Sequence, residues 1–261
     1  MSSTRLTSLG VLELTGDNTR TFLQGQITSD AKSLSPNEAQ LGGYTNIKGR
    51  LLSVFYLLCL DETKCWMLMP ADIIDTVEKT LSRYAAFSRV KVANVSEQYP
   101  LYGKLDKNDG DPWSIVGEAI NLEGNRQISW AAEKNANQEL LAQWVEKDIE
   151  AKVPWIYSET LESVLPHYSS LVDLGGVNFE KGCYLGQEIV ARMHYKGNIK
   201  KHTQILSGFS SPAKPGQALY SREGQKTGVV LYGIANKALC VCDDGKEYVE
   251  AEDSPNILMR N

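Results

Sequence analysis

The sequence predicts an α+β fold with a small all-β region at its C-terminal end. An almost uninterrupted apolar segment at residues 51–60 is typical of a buried strand, and the apolar positions over residues 73–84 recur at helical spacing. After residue 202, short strand-like segments alternate with turns rich in Gly, Pro and Asp. Antiparallel strands combined with a few helices form α+β sandwiches, so we expect the helices on one face of a sheet.

The first predicted elements are a strand and a short helix. Residues 9–14 (LGVLEL) are apolar enough for a buried strand. Residues 17–24 predict a helix, because Asp17 or Asn18 can cap its start and Gly25 can end it.

A β-β-α-β block follows. The strand at residues 51–60 is separated by a polar turn from a second strand at residues 64–69. A helix begins at Asp72, and residues 89–95 alternate apolar and polar side chains as in a half-buried strand.

The remaining elements are shorter. Residues 100–131 predict strands around a polar loop, and an apolar stripe from Leu140 to Val145 predicts a second helix that ends near Lys147. Turns spaced roughly 8–12 residues apart predict a small barrel or sandwich over residues 203–261.

Composition excludes several classes of protein. The 261 residues include 27 Lys and Arg against 32 Asp and Glu, which gives a net charge of −5. A mildly acidic chain binds nucleic acid only through a local basic patch. Mean hydropathy is −0.29 and no apolar run approaches about 18 residues, so we expect no membrane span.

The cysteines indicate a reduced compartment. There are five, an odd number, and no CxxC pair occurs, which disfavours a disulfide framework or a zinc ribbon. The N-terminal residues lack the apolar core of a signal peptide, so we expect a cytoplasmic protein. Cys240 and Cys242 lie on one face of a strand, and two core residues are favoured there over a metal-binding pair.

Residues 180–201 are locally basic. Five Lys or Arg and two Asp or Glu give a local charge of +3, which suits a phosphate, a carboxylate or a polyglutamate tail. An ordinary solvated helix face is the alternative. Within this segment, Gly182 and Gly186 flank Cys183 at the start of a predicted helix. A helix N-terminus and a neighbouring Lys181 favour the thiolate, so Cys183 is a candidate reactive thiol, with a buried inert cysteine as the alternative.

The string KGCYLGQE at residues 181–188, followed by Val190, Ala191 and Arg192, resembles the signature of the YgfZ proteins, which are folate-binding relatives of the glycine-cleavage T-protein (GcvT). Further similarity is collinear over about residues 9–232. It includes residues 22–30, 46–50, 83–88, 149–151 and 227–229.

The resemblance implies a GcvT-type ring of three domains around a central folate site. A discontinuous folate-binding domain would comprise residues 1–48 and 136–202, a ferredoxin-like domain residues 49–135, and a small β-barrel residues 203–261.

The resemblance also implies tetrahydrofolate, or a derivative, as the cofactor, with no permanently bound metal. As a buried carboxylate, Glu150 would accept hydrogen bonds from the aminopyrimidine edge of the pterin, with Trp155 close by; an exposed glutamate at the helix end is the alternative. Arg192, Lys196 or Lys200 would hold the glutamate end. The other implied folate-binding residues come from the motif and from the loop before a long strand; they are Lys181, Tyr184, Gln187, Asn46, Lys48 and Arg50.

One departure bears on enzymatic activity. T-proteins carry an Asp-Asp pair after this loop, and the first Asp assists aminomethyl transfer. Alignment on Asn46 and Gly49 places Ser53 and Val54 at those positions, and a serine cannot replace a carboxylate base. We therefore do not expect glycine cleavage, and Cys183 becomes the candidate functional thiol.

The resemblance implies an accessory protein that supports assembly or repair of iron–sulfur enzymes and, through them, tRNA methylthiolation. Its partners would be folate and, transiently, iron–sulfur client enzymes or assembly factors, with tRNA contacted only indirectly or weakly. One alternative is a folate-dependent one-carbon transfer or demethylating enzyme. Another is a non-catalytic RNA or protein adaptor that uses Lys196, Lys200 and Lys201.

Overall fold

A computed structural model describes residues 3–106, 110–133, 136–251 and 256–260. The strands are β1 (Ser3–Arg5), β2 (Leu9–Thr15), β3 (Glu38–Thr45), β4 (Leu51–Cys59), β5 (Lys64–Pro70), β6 (Lys91–Asn94), β7 (Tyr102–Lys104), β8 (Ala119–Leu122), β9 (Arg126–Ser129), β10 (Lys201–Ser207), β11 (Ala218–Tyr220), β12 (Lys226–Ile234), β13 (Lys237–Asp243), β14 (Tyr248–Val249) and β15 (Ile257–Arg260). The α-helices are α1 (Thr19–Gln24), α2 (Ile74–Ala85), α3 (Glu139–Glu150) and α4 (Gln187–Lys196).

A five-stranded antiparallel sheet has the strand order β3-β4-β5-β2-β6. Along β4, Phe55 and Leu57 face a core shared with α1 and α2, whereas Tyr56 and Leu58 face the core on the opposite side. Burial of both faces explains why residues 51–60 are almost all apolar instead of alternating.

Strand β3 was not predicted by the sequence patterns, because it contains two adjacent glycines. A Cβ atom at Gly42 would lie 2.5 Å from Ser29 Oγ, and one at Gly43 would lie 2.7 Å from Leu171 Cδ2. Close approach of neighbouring segments therefore requires glycine at positions where strand propensity disfavours it.

The second sheet has four strands in the order β1-β7-β9-β8 and packs against the other face of the first. Trp66 of the first sheet contacts Trp130 near the second, with ring centroids 5.3 Å apart. The expectation of helices on one face holds for α1 and α2. It is wrong for α3, which packs against β1 and the barrel strand β12.

The C-terminal region forms a closed six-stranded barrel, β10-β13-β12-β11-β14-β15, as predicted. Cys240 and Cys242 are fully buried in its core, so the interpretation as small core residues is correct. Tyr232 of the barrel donates a hydrogen bond of 2.8 Å to the Val153 carbonyl oxygen, which fixes the barrel to the segment after α3.

The five-stranded sheet crosses the domain boundary placed at residue 48. Strand β3 lies before that boundary and β4 after it, yet the two strands pair along their whole length. Within the described ranges, no helix has both the length and the apolar character to cross a membrane.

Candidate functional site

The motif turn, residues 181–187, connects directly to α4 as the sequence predicted. Cys183 is a free, exposed thiol on this turn. The other four cysteines are buried, so the alternative of a buried cysteine is wrong for Cys183. A thiol on the surface can meet a macromolecular partner without any opening of the fold.

The motif turn is packed against the loop between β3 and β4. Gly186 has φ +83°, and a Cβ atom there would lie 2.3 Å from the Asn46 carbonyl oxygen. Thr45 Oγ1 donates to the Leu185 carbonyl oxygen at 2.6 Å. The structure thus brings together two segments that the sequence assigned to one site from positions about 140 residues apart.

Lys181 and Tyr184 anchor the turn from inside. Lys181 Nζ donates to the carbonyl oxygens of Ile27 at 2.7 Å and Ser29 at 2.9 Å, and it lies over the Tyr184 ring. Burial lowers the pKa of Lys181 to about 8, although Asp30 acts in the opposite direction. Burial also raises the pKa of Tyr184, whose hydroxyl lacks a hydrogen-bond partner among the described residues. Both side chains are therefore buried and contact other parts of this protein instead of facing solvent.

The loop residues have unequal roles. Asn46 Oδ1 accepts hydrogen bonds from the backbone N–H groups of Lys48 at 2.8 Å and Arg50 at 3.0 Å, which shapes the loop. Lys48 is exposed, and Gln187 is half-buried at the start of α4. Arg50 Nη1 donates to the Ser163 carbonyl oxygen at 2.9 Å.

Arg50 also lines a cavity of about 410 Å³ between this loop and the barrel. Lys201 and Lys226 add positive charge, and Tyr168 with three valines supplies apolar surface. Lys201 is already paired with Asp243 at 3.1 Å, which reduces the charge available to a ligand.

The end of α3 differs from the expectation of a buried Glu150. Glu150 is exposed and pairs with Lys147 at 3.0 Å on the same helix. The buried carboxylate is Asp148, which contacts Arg126 Nη1 at 2.5 Å and accepts a hydrogen bond of 3.1 Å from Trp155 Nε1. The contacts of Glu150 are therefore not those of a preformed pterin acceptor, and its role in folate binding stays a prediction.

Trp155 is fully buried against Tyr56, with ring centroids 5.0 Å apart. Its indole nitrogen is used by Asp148. Trp155 therefore packs in the core and does not line the cavity at Arg50 or the one beside residues 149–151.

A second cavity, of about 160 Å³, lies beside the predicted pterin segment 149–151. Ala151 lines it together with the aromatic side chains Tyr56 and Trp113 and the guanidinium group of Arg126. The carboxylates of Glu123 and Asp173 also line it, and both residues are exposed. We call this the pterin-sized cavity. No local sequence motif predicts this cavity, because its walls come from six separate segments of the chain.

Ser53 is buried in the sheet, away from both cavities. Its hydroxyl contacts the Val54 carbonyl oxygen at 3.3 Å and Met69 Sδ at 3.5 Å. The position aligned with the T-protein aspartate therefore holds neither a carboxylate nor a side chain that lines either cavity.

His167 lies in a single 3-10 turn, Pro166–Tyr168, packed against α4. It is buried, and burial lowers its pKa to about 4, with a smaller contribution from His194 in the same direction. Neither ring nitrogen has a partner among the residues described. In the described part of the chain, no group of three or more His, Cys, Asp or Glu side chains is arranged to hold a metal ion.

Comparison with known proteins identifies the family. The tRNA-modifying protein YgfZ of Vibrio vulnificus is 32% identical over 236 residues, which cover 80% of this chain and 71% of that protein. This chain belongs to the YgfZ family. The YgfZ protein of Photorhabdus laumondii is 30% identical over 257 residues, covering 86% of this chain and 78% of its own length. No family model matches the chain.

The fold of this YgfZ chain is of the GcvT type. The crystal structure of glycine cleavage system aminomethyltransferase T from Bartonella henselae superposes with a TM-score of 0.72, covering 99% of this chain and 84% of that chain. Sequence identity is 14%, so the likeness concerns the fold alone. The predicted α+β, GcvT-type fold class is confirmed.

Proposed function

We propose that this YgfZ chain is a folate-dependent accessory protein that supports iron–sulfur enzymes and thereby the methylthiolation of tRNA. The observation that supports the proposal best is the exposed thiol of Cys183 on a turn held at both ends. The names of the relatives, which describe tRNA-modifying proteins, support the tRNA side of the proposal.

The pterin-sized cavity fits the flat end of a folate. The rings of Tyr56 and Trp113 offer apolar walls, and the Glu123 and Asp173 carboxylates can accept hydrogen bonds from the aminopyrimidine N–H groups. The Arg126 guanidinium group, which is a cation and a donor, can donate a hydrogen bond to the carbonyl oxygen of the pterin ring. When bound, tetrahydrofolate supplies the chemistry of a one-carbon carrier.

The Cys183 thiol supplies a nucleophile or a metal ligand at the surface. A single thiol cannot hold an iron–sulfur cluster, since such clusters need several thiolates. Cys183 would therefore act together with ligands from a client enzyme. No observation favours the alternative of one-carbon transfer to a small amine, because Ser53 lies in the core.

We expect Cys183→Ala to abolish the function in cells. In a strain that lacks its own YgfZ protein, methylthiolated nucleosides in total tRNA should fall to the level of the empty vector. Cys59→Ala, which removes a buried thiol, should restore methylthiolation to the wild-type level if the variant accumulates normally. Full methylthiolation with Cys183→Ala would show that the thiol is dispensable and would overturn its role.

We expect Asp173→Asn to weaken tetrahydrofolate binding roughly tenfold in calorimetric titrations, because an amide loses the charge that strengthens the hydrogen bond. Glu150→Gln serves as the comparison, since Glu150 faces solvent beside Lys147. Loss of binding in Glu150→Gln but not in Asp173→Asn would place the pterin at Glu150 instead. Absence of binding by the wild-type protein would contradict the folate proposal.

A further inference from the structure

The C-terminal half of α4 presents an exposed aromatic ring among cations. Tyr195 is 70% exposed, which is rare for so large an aromatic side chain. Arg192 and Lys196, three residues before it and one after it, share with Tyr195 and Ala191 a shallow depression of about 370 Å³. We call these four residues, with Lys200 beyond the helix, the α4 face.

Two further rings hold Tyr195 in place. His194 stacks on Phe179 with centroids 3.7 Å apart and an angle of 15° between the planes. Tyr195 meets His194 edge-on at 4.9 Å. A ring that is restrained along one edge loses less conformational freedom than an unrestrained ring when a flat ligand stacks on it.

The cations of the α4 face are not neutralised. Over residues 3–106, 110–133, 136–251 and 256–260, neither Arg192, Lys196 nor Lys200 forms an ion pair, whereas Lys201, Lys147 and Lys237 each pair with a carboxylate. In a chain of net charge −5, an unpaired positive cluster favours a polyanionic partner. Lys201 does not belong to this cluster. Of the three lysines predicted for an adaptor surface, Lys196, Lys200 and Lys201, only the first two are therefore without an ion-pair partner among the described residues.

We propose that the α4 face binds single-stranded RNA directly, with a base stacked on Tyr195 and phosphates held by Arg192, Lys196 and Lys200. Stacking aromatics combined with backbone-contacting cations are the recurring composition of single-strand binding surfaces. A polyglutamate chain would use the cations but has no flat ring to stack on Tyr195. This inference goes beyond the accessory function, which requires no contact between this protein and RNA.

The test is fluorescence anisotropy with a labelled twelve-nucleotide oligouridylate and the full-length protein. Three phosphate contacts to a single strand predict that affinity falls roughly 18-fold between about 50 and 200 mM salt. Tyr195→Ala should weaken binding roughly tenfold, and Tyr195→Phe should restore it because the ring is kept. Lys196→Ala should lower the slope of the salt dependence by about one third.

Matched controls come from α2 and its end. Phe87 is 91% exposed and Lys79 is an exposed lysine, so Phe87→Ala and Lys79→Ala remove the same groups elsewhere. Both should bind RNA like the wild type. Wild-type binding by Tyr195→Ala, no binding by the wild-type protein, or equal displacement of the RNA by polyglutamate would each overturn the proposal. Folate titration of Tyr195→Ala should be unchanged, which separates this result from a failure of the folate proposal.

Discussion

Asp148→Ala is expected to lower the free energy of unfolding by about 3–5 kcal/mol. The Asp148 carboxylate is buried and bonds both Arg126 and Trp155, so its removal leaves the Arg126 charge without its partner in the interior. An uncompensated buried charge costs far more than the net contribution of an intact pair. Urea unfolding followed by circular dichroism measures the loss.

Glu150→Ala provides the matched control two residues further along α3. Its carboxylate is exposed and its pairing with Lys147 is a surface ion pair, so we expect a change of about 0.5 kcal/mol or less. Equal stabilities of the two variants would contradict the assignment of Asp148 as the structural carboxylate. Loss of folate binding in Glu150→Ala at unchanged stability would instead support the role that the sequence predicted for Glu150.

Gly186→Ala is expected to destabilise the protein by about 2–5 kcal/mol and to loosen the motif turn. The backbone φ of +83° is unfavourable for alanine, and the added Cβ would lie 2.3 Å from the Asn46 carbonyl oxygen and 2.6 Å from Thr45 Oγ1. The backbone strain and the steric overlap together prevent the turn from keeping its contact with the β3–β4 loop. Urea unfolding gives the stability, and amide hydrogen exchange of residues 181–187 reports the loosening.

Gly182→Ala tests whether the loss of stability is specific to position 186 or follows from any glycine substitution in the motif turn. A Cβ atom there would meet no atom within 4 Å, so stability should change by about 0.5 kcal/mol or less. If Gly186→Ala were as stable as Gly182→Ala, the packing of the turn against Asn46 would be wrong.

The elements that the sequence predicted are those with a strong local pattern. Strands β4 and β5 are continuous apolar segments, and α2 has an apolar stripe, so the predicted bounds of all three agree with the structure within a few residues. The sequence patterns do not predict strand β3, because glycine is required at positions 42 and 43 by the close approach of residues distant in sequence. The domain boundary at residue 48, which the resemblance implies, lies between the paired strands β3 and β4, and strand pairing is not visible in a local pattern.

The spacing of the carboxylates in α3 indicates which of them is buried. The predicted stripe includes Trp144, and four residues on in a helix lies Asp148 on the same inward face. Glu150 lies two residues beyond Asp148 and therefore points to the opposite side, toward solvent. Helical periodicity favours Asp148 as the buried acid only because α3 continues to Glu150, past the predicted end near Lys147.

The sequence by itself determined the family, the fold class and the segment that holds Cys183, because a motif of eight residues and short-range periodicity are properties of contiguous chain. Only the tertiary structure decided which groups are free to act. It buried Lys181, exposed Cys183 and formed the pterin-sized cavity from six separate segments. Burial and pairing depend on contacts between residues far apart in the chain, and a linear pattern does not specify them.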